Sequence, residues 1–181
     1  MQHNIICLVG PSGSGKTAIC EKLMEVNPKF QKVRTTTTRK PRPNEDENAY
    51  FFITKEEFQK GNKEGIFLET SEYAGEMYGT PKFAVDAILE SDGIPIVPID
   101  LNGALAYKEL YPDYVTIVFV YRDKRTIIEA IVERDIPIAE KSKRIIQLDK
   151  EFENITFCDR CVINNGTIEE SALVVASFEK E

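Results

Sequence analysis

The stretch GPSGSGKT combines residue types that bind a chain of phosphates. Gly10, Gly13 and Gly15 allow a tight turn whose backbone N–H groups point at phosphate oxygens. Lys16 would bridge the β- and γ-phosphates of ATP, and Thr17 would offer its hydroxyl to Mg²⁺. An apolar run precedes the stretch and a helical pattern follows it, as a phosphate-binding loop requires. The residues of this predicted ATP site are Gly10, Pro11, Ser12, Gly13, Ser14, Gly15, Lys16 and Thr17.

A basic segment follows in a chain that is acidic as a whole. Residues 32 to 42 contain five Lys or Arg and no acid, whereas the chain has 23 Lys plus Arg against 30 Asp plus Glu. Arg39 and Arg42 are three residues apart, and Pro41 stiffens the backbone between them. Because each guanidinium can bind two phosphate oxygens at once, the pair predicts a site for a second phosphate. The alternative is a solvated basic loop without a ligand.

Residues that could recognise a base accompany the basic segment. The four threonines 35 to 38 offer hydroxyls to a phosphate or to a base edge. Glu69 is a carboxylate near the end of a predicted strand, and guanine presents two adjacent N–H donors that suit a carboxylate. Tyr50 and Tyr78 add phenols, although packing in the protein interior is an alternative role for Tyr50.

The elements that position these residues follow from the periodicity of the apolar residues. Strands and helices alternate along the chain, which predicts an α/β fold with a parallel sheet covered by helices in a single domain. The two prolines of the run 94–100 make it an awkward central strand. The predicted strands are 4–9, 30–33, 50–54, 66–70, 94–100, 114–121 and 161–164. The predicted helices are 16–26, 55–65, 81–90, 103–110, 124–134, 139–153 and 167–179.

Composition excludes several classes of function. A formal net charge of −7 argues against general binding to nucleic acid or to an anionic membrane surface. The sequence has no apolar run long enough to span a bilayer and does not begin like a signal peptide, so we expect a cytoplasmic protein. Cys158 and Cys161 form a CxxC, but with one histidine and no second CxxC a structural role is favoured over a zinc or redox site.

Several motifs together resemble the guanylate kinase family. Besides GPSGSGKT, they are TTRKPR (37–42), the acid before Tyr50, FLE (67–69), YGT (78–80), ID (99–100), the arginine-bearing segment 122–144 and VINN (162–165). They occur in the family's order and at nearly its spacing, over about residues 4–178. The phosphate loop is common to many families, whereas TTRKPR, FLE and YGT are specific to this one.

The resemblance implies that the protein phosphorylates GMP, and dGMP as well, with ATP and Mg²⁺. It implies a P-loop core of about residues 1–33, 81–123 and 155–181, a GMP-binding flap of about 34–80 and a helical lid of about 124–153. The residues that would hold the GMP phosphate are Arg39, Arg42, Tyr50 and Tyr78. Those that would recognise guanine are Thr35, Glu69, Thr80 and Asp100.

The resemblance also assigns residues to the donor side. Arg134 and Arg144 match the arginines that neutralise charge on the transferring phosphoryl group, together with Lys16 and Arg39. Asn164 falls where the family contacts the adenine of ATP. The alternatives are an ion pair of Arg134 with a neighbouring acid and a capping role for Asn164 at the closing helix.

Two positions depart from the family pattern and leave other functions open. Pro98 stands where the family usually has the first acid of D-x-D, and Ala130 stands where its lid usually carries an arginine. Lys124 or Arg125 would be the nearest replacements for that charge. One alternative is a guanylate kinase-like module that binds a ligand or a phosphopeptide with weak or no catalysis. Another is a P-loop kinase with a different phosphorylated acceptor.

Overall fold

The computed structural model describes residues 4–41, 45–73 and 75–178. Its larger sheet has five parallel strands in the order β2-β7-β1-β8-β9, so the α/β prediction is confirmed. These strands are β1 (Ile5–Val9), β2 (Phe30–Lys32), β7 (Ile94–Pro98), β8 (Val115–Tyr121) and β9 (Arg160–Ile163).

Helices cover both faces of this sheet, so the central strand is buried on both sides. All of β1 is buried, with Ile6 and Leu8 in one hydrophobic cluster and Ile5, Cys7 and Val9 in another. The first cluster includes residues of α1 (Lys16–Val26) and α7 (Ile168–Ala176), and the second includes residues of α3 (Lys82–Glu90) and α4 (Leu101–Leu110). The near-continuous apolar run of β1 thus reflects its position at the centre of a parallel sheet.

The prolines of β7 are tolerated inside the sheet because each is paired with only one of the two neighbouring strands. Pro95 is paired with β2 but precedes the first residue paired with β1, which is Ile96. Pro98 is paired with β1 but follows the last residue paired with β2, again Ile96. The expected difficulty of a proline-containing central strand is avoided because neither nitrogen faces a required acceptor.

A second sheet is formed by the segment between β2 and α3. Its strand order is β4-β3-β6-β5, with β3 parallel to β4 and antiparallel to β6, and β5 antiparallel to β6. The strands are β3 (Thr35–Thr37), β4 (Tyr50–Phe52), β5 (Phe67–Tyr73) and β6 (Glu76–Pro81), and α2 (Lys55–Lys63) lies between β4 and β5 in the chain. Strands β3 and β6 were absent from the sequence prediction. That this segment acts as a separate flap stays a prediction.

The remaining helices have a small core of their own. The helices α5 (Lys124–Val132) and α6 (Ile138–Glu153) bury Ile127, Ile131 and Leu148 against each other, and a short 3-10 helix, Asn154–Phe157, follows. The predicted lid boundaries of about 124–153 enclose both helices, but movement of this unit stays a prediction. Within the described residues, no helix is both long and apolar enough to cross a membrane.

Candidate active site

The chemistry-bearing loops meet at one edge of the parallel sheet. The phosphate loop follows β1, Asp100 follows β7 and Arg122 follows β8. Since β7, β1 and β8 are adjacent and parallel, their carboxyl ends lie together, which is where α/β proteins usually bind ligands. The fold therefore brings separate parts of the sequence into one region.

Three glycines of the phosphate loop, Gly10, Gly13 and Gly15, have a positive φ, and at two of them an added Cβ would also clash. Gly10 has φ +145°, and a Cβ there would lie 2.6 Å from the carbonyl oxygen of Val120. Gly15 has φ +100°, and a Cβ there would lie 2.3 Å from Nδ2 of Asn164. The helix α1 begins at Lys16, so its N-terminus is directed into the loop, which favours an anion.

Lys16 is folded back onto the loop that precedes it. Its ammonium donates hydrogen bonds to the carbonyl oxygens of Gly10, at 2.6 Å, and Pro11, at 3.0 Å. Burial lowers the pKa of Lys16 to about 8, and the carboxylate of Glu151 opposes that shift. A phosphate placed in the loop would supply the negative charge that this buried cation lacks.

A cavity of about 410 Å³ opens on the phosphate loop. We call it the loop cavity; it is lined by Ser12, Gly13, Gly15, Lys16, Thr17, Ala18, Arg122, Ala130 and Arg134. Both predicted lid arginines reach the loop at a single residue. Arg134 donates to the hydroxyl of Ser12 at 3.0 Å, and Arg144 donates to the same hydroxyl. Arg144 also pairs with Glu140 at 2.6 Å.

Glu151 is a site residue that the sequence did not reveal. Its carboxylate accepts a hydrogen bond from the backbone N–H of Ser12 at 3.4 Å, and burial raises its pKa. Glu140, Arg144 and Glu151 are spaced by four and seven residues on α6, so they share the helix face that approaches the loop. That spacing of charged residues was the available signal.

Asn164 has a different environment from the one expected for an adenine contact. Its side chain is buried, and its amide nitrogen donates to the carbonyl oxygen of Ser14 at 2.7 Å. Its amide oxygen accepts from the hydroxyl of Ser171 at 3.0 Å. Because both polar groups are engaged within the protein, Asn164 holds the phosphate loop, and the capping residue of α7 is instead Thr167.

A second cavity, of about 350 Å³, lies between the two sheets and is called here the base cavity. Five residues expected at a guanosine nucleotide line it: Thr35, Tyr50, Glu69, Tyr78 and Asp100. Ser71, Gly79, Val97, Pro98 and Ile99 complete its lining. The structure thus brings together residues that come from β3, β4, β5, β6 and the end of β7.

Glu69 and Thr80 form a hydrogen-bonded pair at this cavity. They face each other across β5 and β6, and the Thr80 hydroxyl donates to Glu69 Oε1 at 2.6 Å. Burial raises the pKa of Glu69, and the negative charge of Asp100 raises it further, whereas the Thr80 hydroxyl opposes the shift. Asp100 itself caps α4 by accepting from the N–H of Gly103 at 2.8 Å.

The basic segment has two structural roles. Arg39 makes two hydrogen bonds to the carboxylate of Glu45 and lies over the rings of Tyr50 and Phe52, at 5.4 and 5.7 Å from their centroids. Arg34 instead donates to the carbonyl oxygens of Glu47 and Tyr50 and so braces the backbone. Arg42 lies outside the described residues.

Comparisons with known proteins identify the family of the chain. A family profile described as Guanylate kinase matches residues 2–180. The chain belongs to the guanylate kinase family. It is 34% identical over 163 residues to the guanylate kinase of Desulfitobacterium hafniense, a match that covers 89% of this chain and 82% of that one. It is 32% identical over 179 residues to the guanylate kinase of Helicobacter pylori, covering 98% and 86% respectively.

A solved structure shows that the fold is shared. The crystal structure of guanylate kinase from Anaplasma phagocytophilum matches with a TM-score of 0.72 at 24% identity, and the match covers 97% of this chain and 83% of that chain. The predicted α/β fold of the guanylate kinase family is therefore confirmed, whereas the bounds of core, flap and lid stay predictions.

The two departures from the guanylate kinase family pattern lie at the two cavities. Pro98 lines the base cavity and Ala130 lines the loop cavity. The expected replacements for the charge at 130 are paired elsewhere: Lys124 with Asp149 at 2.6 Å, and Arg125 with Glu129 at 3.0 Å. Neither is among the lining residues of the loop cavity.

The cysteines of this guanylate kinase family member are not activated nucleophiles. Cys7 and Cys20 are buried, and no described cysteine forms a disulfide. Burial raises the pKa of Cys158 to about 11 and also raises that of Cys161. A raised pKa disfavours the reactive thiolate, which supports the structural interpretation of the CxxC.

Proposed function

We propose that the protein transfers the γ-phosphoryl group of ATP to GMP, and also to dGMP, yielding ADP and the corresponding diphosphate for purine nucleotide metabolism. The observation that carries this proposal is the Glu69–Thr80 pair, with its bond of 2.6 Å, in a cavity that shares a sheet edge with the phosphate loop. A half-buried carboxylate suits the adjacent N–H donors of guanine. A sugar phosphate would have no use for it.

The donor would bind at the loop cavity. The N–H groups of the phosphate loop and the start of α1 provide donors for phosphate oxygens, and Lys16 would exchange its two backbone carbonyl partners for the β- and γ-phosphates. Arg134 and Arg144 would likewise exchange the Ser12 hydroxyl for phosphate oxygens. Each exchange replaces a neutral acceptor by a charged one, which strengthens the hydrogen bond.

The acceptor would bind across the base cavity. Arg39, Tyr50 and Tyr78 would hold its phosphate together with Arg42, because the arginine fork and the phenols are donors of suitable length and charge. The guanine would lie against Glu69, with Thr35 and Asp100 at its edge. Thr80, which is fully buried, would act on the base through its hydrogen bond to the Glu69 carboxylate.

Magnesium fits the donor set at the loop cavity. Thr17 is exposed and lines this cavity, and the described residues contain no group of three or more His, Cys, Asp or Glu able to hold a metal by themselves. Mg²⁺ commonly keeps several waters and takes its other ligands from substrate phosphates, so a single protein hydroxyl suffices. Thr17 would hold the ion, which when bound with ATP neutralises phosphate charge.

The proposed reaction is a direct in-line transfer. An oxygen of the GMP phosphate forms a bond to the γ-phosphorus of ATP, and the bond from that phosphorus to the β–γ bridging oxygen breaks, which leaves ADP. No side-chain nucleophile is needed because the attacking phosphate is already anionic. Lys16, Arg39, Arg134 and Arg144 would stabilise the charge on the oxygens of the transferring group.

We infer that residues of about 34–80 and 124–153 close as flap and lid over the two nucleotides, while about 1–33, 81–123 and 155–181 form the core. Closure would exclude water, which would otherwise accept the phosphoryl group. The contacts of Arg134 and Arg144 with Ser12 support a lid that lies against the phosphate loop.

The test is ADP release from Mg·ATP with GMP, dGMP, AMP, CMP and UMP as acceptors. We expect turnover with GMP and dGMP and little with the other three. Turnover with AMP or a pyrimidine nucleotide at the GMP rate would contradict the role of Glu69. Binding of GMP without ADP release would instead favour a guanylate kinase-like binding module.

A further inference from the structure

The loop cavity contains an arginine to which the family resemblance assigns no role. Arg122 is the first residue after β8, and β8 lies next to β1, whose end opens the phosphate loop. Its guanidinium donates from Nη1 to the carbonyl oxygen of Gly13 at 3.3 Å, and its side chain lines the cavity together with Lys16 and Arg134. Arg122 therefore reaches the cavity from the sheet edge and not from the lid.

The part of the chain that the structure describes provides no acid to neutralise the charge of Arg122. Among the described residues it makes no ion pair, whereas Arg125 on the following helix pairs with Glu129 at 3.0 Å. A half-buried guanidinium bound to one backbone carbonyl keeps most of its N–H donors available. Such a group at a phosphate loop is suited to an anion with several oxygens.

The side chain that lies beside the loop at this point, that of Ala130, is small and apolar. A Cβ on Gly13 would lie 3.6 Å from Cβ of Ala130, so the methyl group of Ala130 lies directly beside the loop. Since Gly13 also provides the carbonyl that Arg122 contacts, Arg122 and Ala130 lie next to the same stretch of loop backbone. The positive charge absent at position 130 is therefore present nearby, on a different element.

We propose that Arg122 is a catalytic residue that contacts the phosphates of the donor nucleotide and stabilises the transferring phosphoryl group, in place of an arginine at position 130. This inference rests on the proposed ATP-dependent phosphoryl transfer. The nucleotide would replace the Gly13 carbonyl as the partner of the guanidinium. Chain positions 122 and 130 would then be alternative sources of one charge.

The experiment compares Arg122→Ala, Ala130→Arg and the double variant with the wild-type protein, using Arg125→Ala as a matched control. We expect Arg122→Ala to lower kcat/KM for ATP by about 100-fold, with KM for GMP changed by less than about twofold. The double variant should have a kcat/KM for ATP at least about tenfold higher than that of Arg122→Ala. Arg125→Ala should behave like the wild type, because its partner is Glu129.

Two results would overturn the inference. One is a kcat/KM for ATP in Arg122→Ala within about twofold of wild type. The other is a loss that comes with a lower melting temperature and is not restored by Ala130→Arg, since Arg122 would then only support the Gly13 backbone.

Calorimetry of Mg·ATP binding separates this inference from the proposed function. Weaker ATP binding by Arg122→Ala would support a phosphate contact even if the wild-type protein failed to phosphorylate GMP. If Arg122→Ala and the wild type bound ATP equally and phosphorylated GMP at the same rate, the role of Arg122 would be contradicted and the proposed function would stand.

Discussion

Arg39 and Glu45 form a bidentate ion pair, in which Nη1 lies 2.9 Å from Oε2 and Nη2 lies 2.7 Å from Oε1. A further hydrogen bond joins Arg39 Nη1 to the carbonyl oxygen of Lys40 at 2.8 Å. These three bonds fix the plane of the guanidinium before any substrate arrives, and a guanidinium has five N–H donors in all. The side chain of Tyr78 also contacts this guanidinium, so one N–H donor remains for a phosphate.

Replacing Arg39 by lysine should impair the use of GMP and leave the KM for ATP nearly unchanged. Lysine keeps the positive charge but loses the planar fork, so we expect kcat/KM for GMP to fall by about 10-fold to 100-fold while KM for ATP changes by less than about twofold. Steady-state kinetics with each substrate varied would measure this, with Arg125→Lys as the control. An unchanged KM for GMP would remove Arg39 from the phosphate site.

Replacing Glu69 by glutamine should weaken the binding of GMP more than that of ATP. A glutamine amide keeps one acceptor but loses the charge that strengthens two hydrogen bonds, so the dissociation constant for GMP should rise on the order of 100-fold. Glu72→Gln is the matched control, because Glu72 is exposed on the same strand. Calorimetric titration with GMP and with ATP would decide, and equal losses for the two nucleotides would contradict base recognition by Glu69.

The pH dependence of ATP use should report the ionisation of Lys16. Burial lowers its pKa to about 8, and only the protonated form attracts phosphate. We therefore expect kcat/KM for ATP to be level at neutral pH and to fall as the pH rises through about 8. Lys16→Arg should be less active but should lack this alkaline decline, because guanidinium stays charged. The same decline in both proteins would assign it to another group.

The buried hydroxyl of Tyr107 should lower stability. Tyr107 is fully buried on α4, and its Oη makes no hydrogen bond of good geometry within the described residues. The Thr80 hydroxyl lies near it, but that hydroxyl donates its proton to Glu69. Burial also raises the pKa of this phenol well above its usual value. Because an unpaired buried hydroxyl costs free energy, Tyr107→Phe should raise the free energy of unfolding by about 1 kcal/mol in denaturant titrations.

Tyr111→Phe is the matched control for that change. Tyr111 lies at the end of the same helix, and its hydroxyl donates to Asp86 at 2.8 Å, so its removal should lower the free energy of unfolding slightly or leave it unchanged. If Tyr107→Phe proved less stable than the wild type, the hydroxyl of Tyr107 would have a partner in solution.

Local patterns predicted the strands of the parallel sheet and the phosphate loop, because a strand buried on both faces is apolar throughout and the loop motif is contiguous. The apolar run of β1 and the glycines at 10 and 15 are such patterns. Strands β3 and β6 were missed because their stability comes from pairing with each other and with β4 and β5. Gly79 within β6 reads as a turn residue, yet it lies against Phe58 and Phe67, where a Cβ would be 3.1 Å from both rings.

The site was predictable where the family resemblance assigned a role to a residue. Thr35, Tyr50, Glu69, Tyr78 and Asp100 were all expected at a guanosine nucleotide, and they line one cavity. The partners that a residue finds in three dimensions were not predictable, as the buried contacts of Asn164, the Ser12 contact of Glu151 and the cavity position of Arg122 illustrate. These depend on the packing of α6 and α7 and on the end of β8.

The shared hydroxyl of Ser12 has a consequence for selection among cellular anions. Arg134 and Arg144 already donate to this hydroxyl, so an incoming ligand must take its place. The ligand gains affinity only if its hydrogen bonds to the two arginines are stronger than those of the neutral serine oxygen. An uncharged nucleoside gains nothing in that competition, and a small monovalent anion gains little. A triphosphate can accept hydrogen bonds from both arginines at once. The contacts with Ser12 therefore favour binding of a highly charged ligand with several oxygens over binding of weaker acceptors.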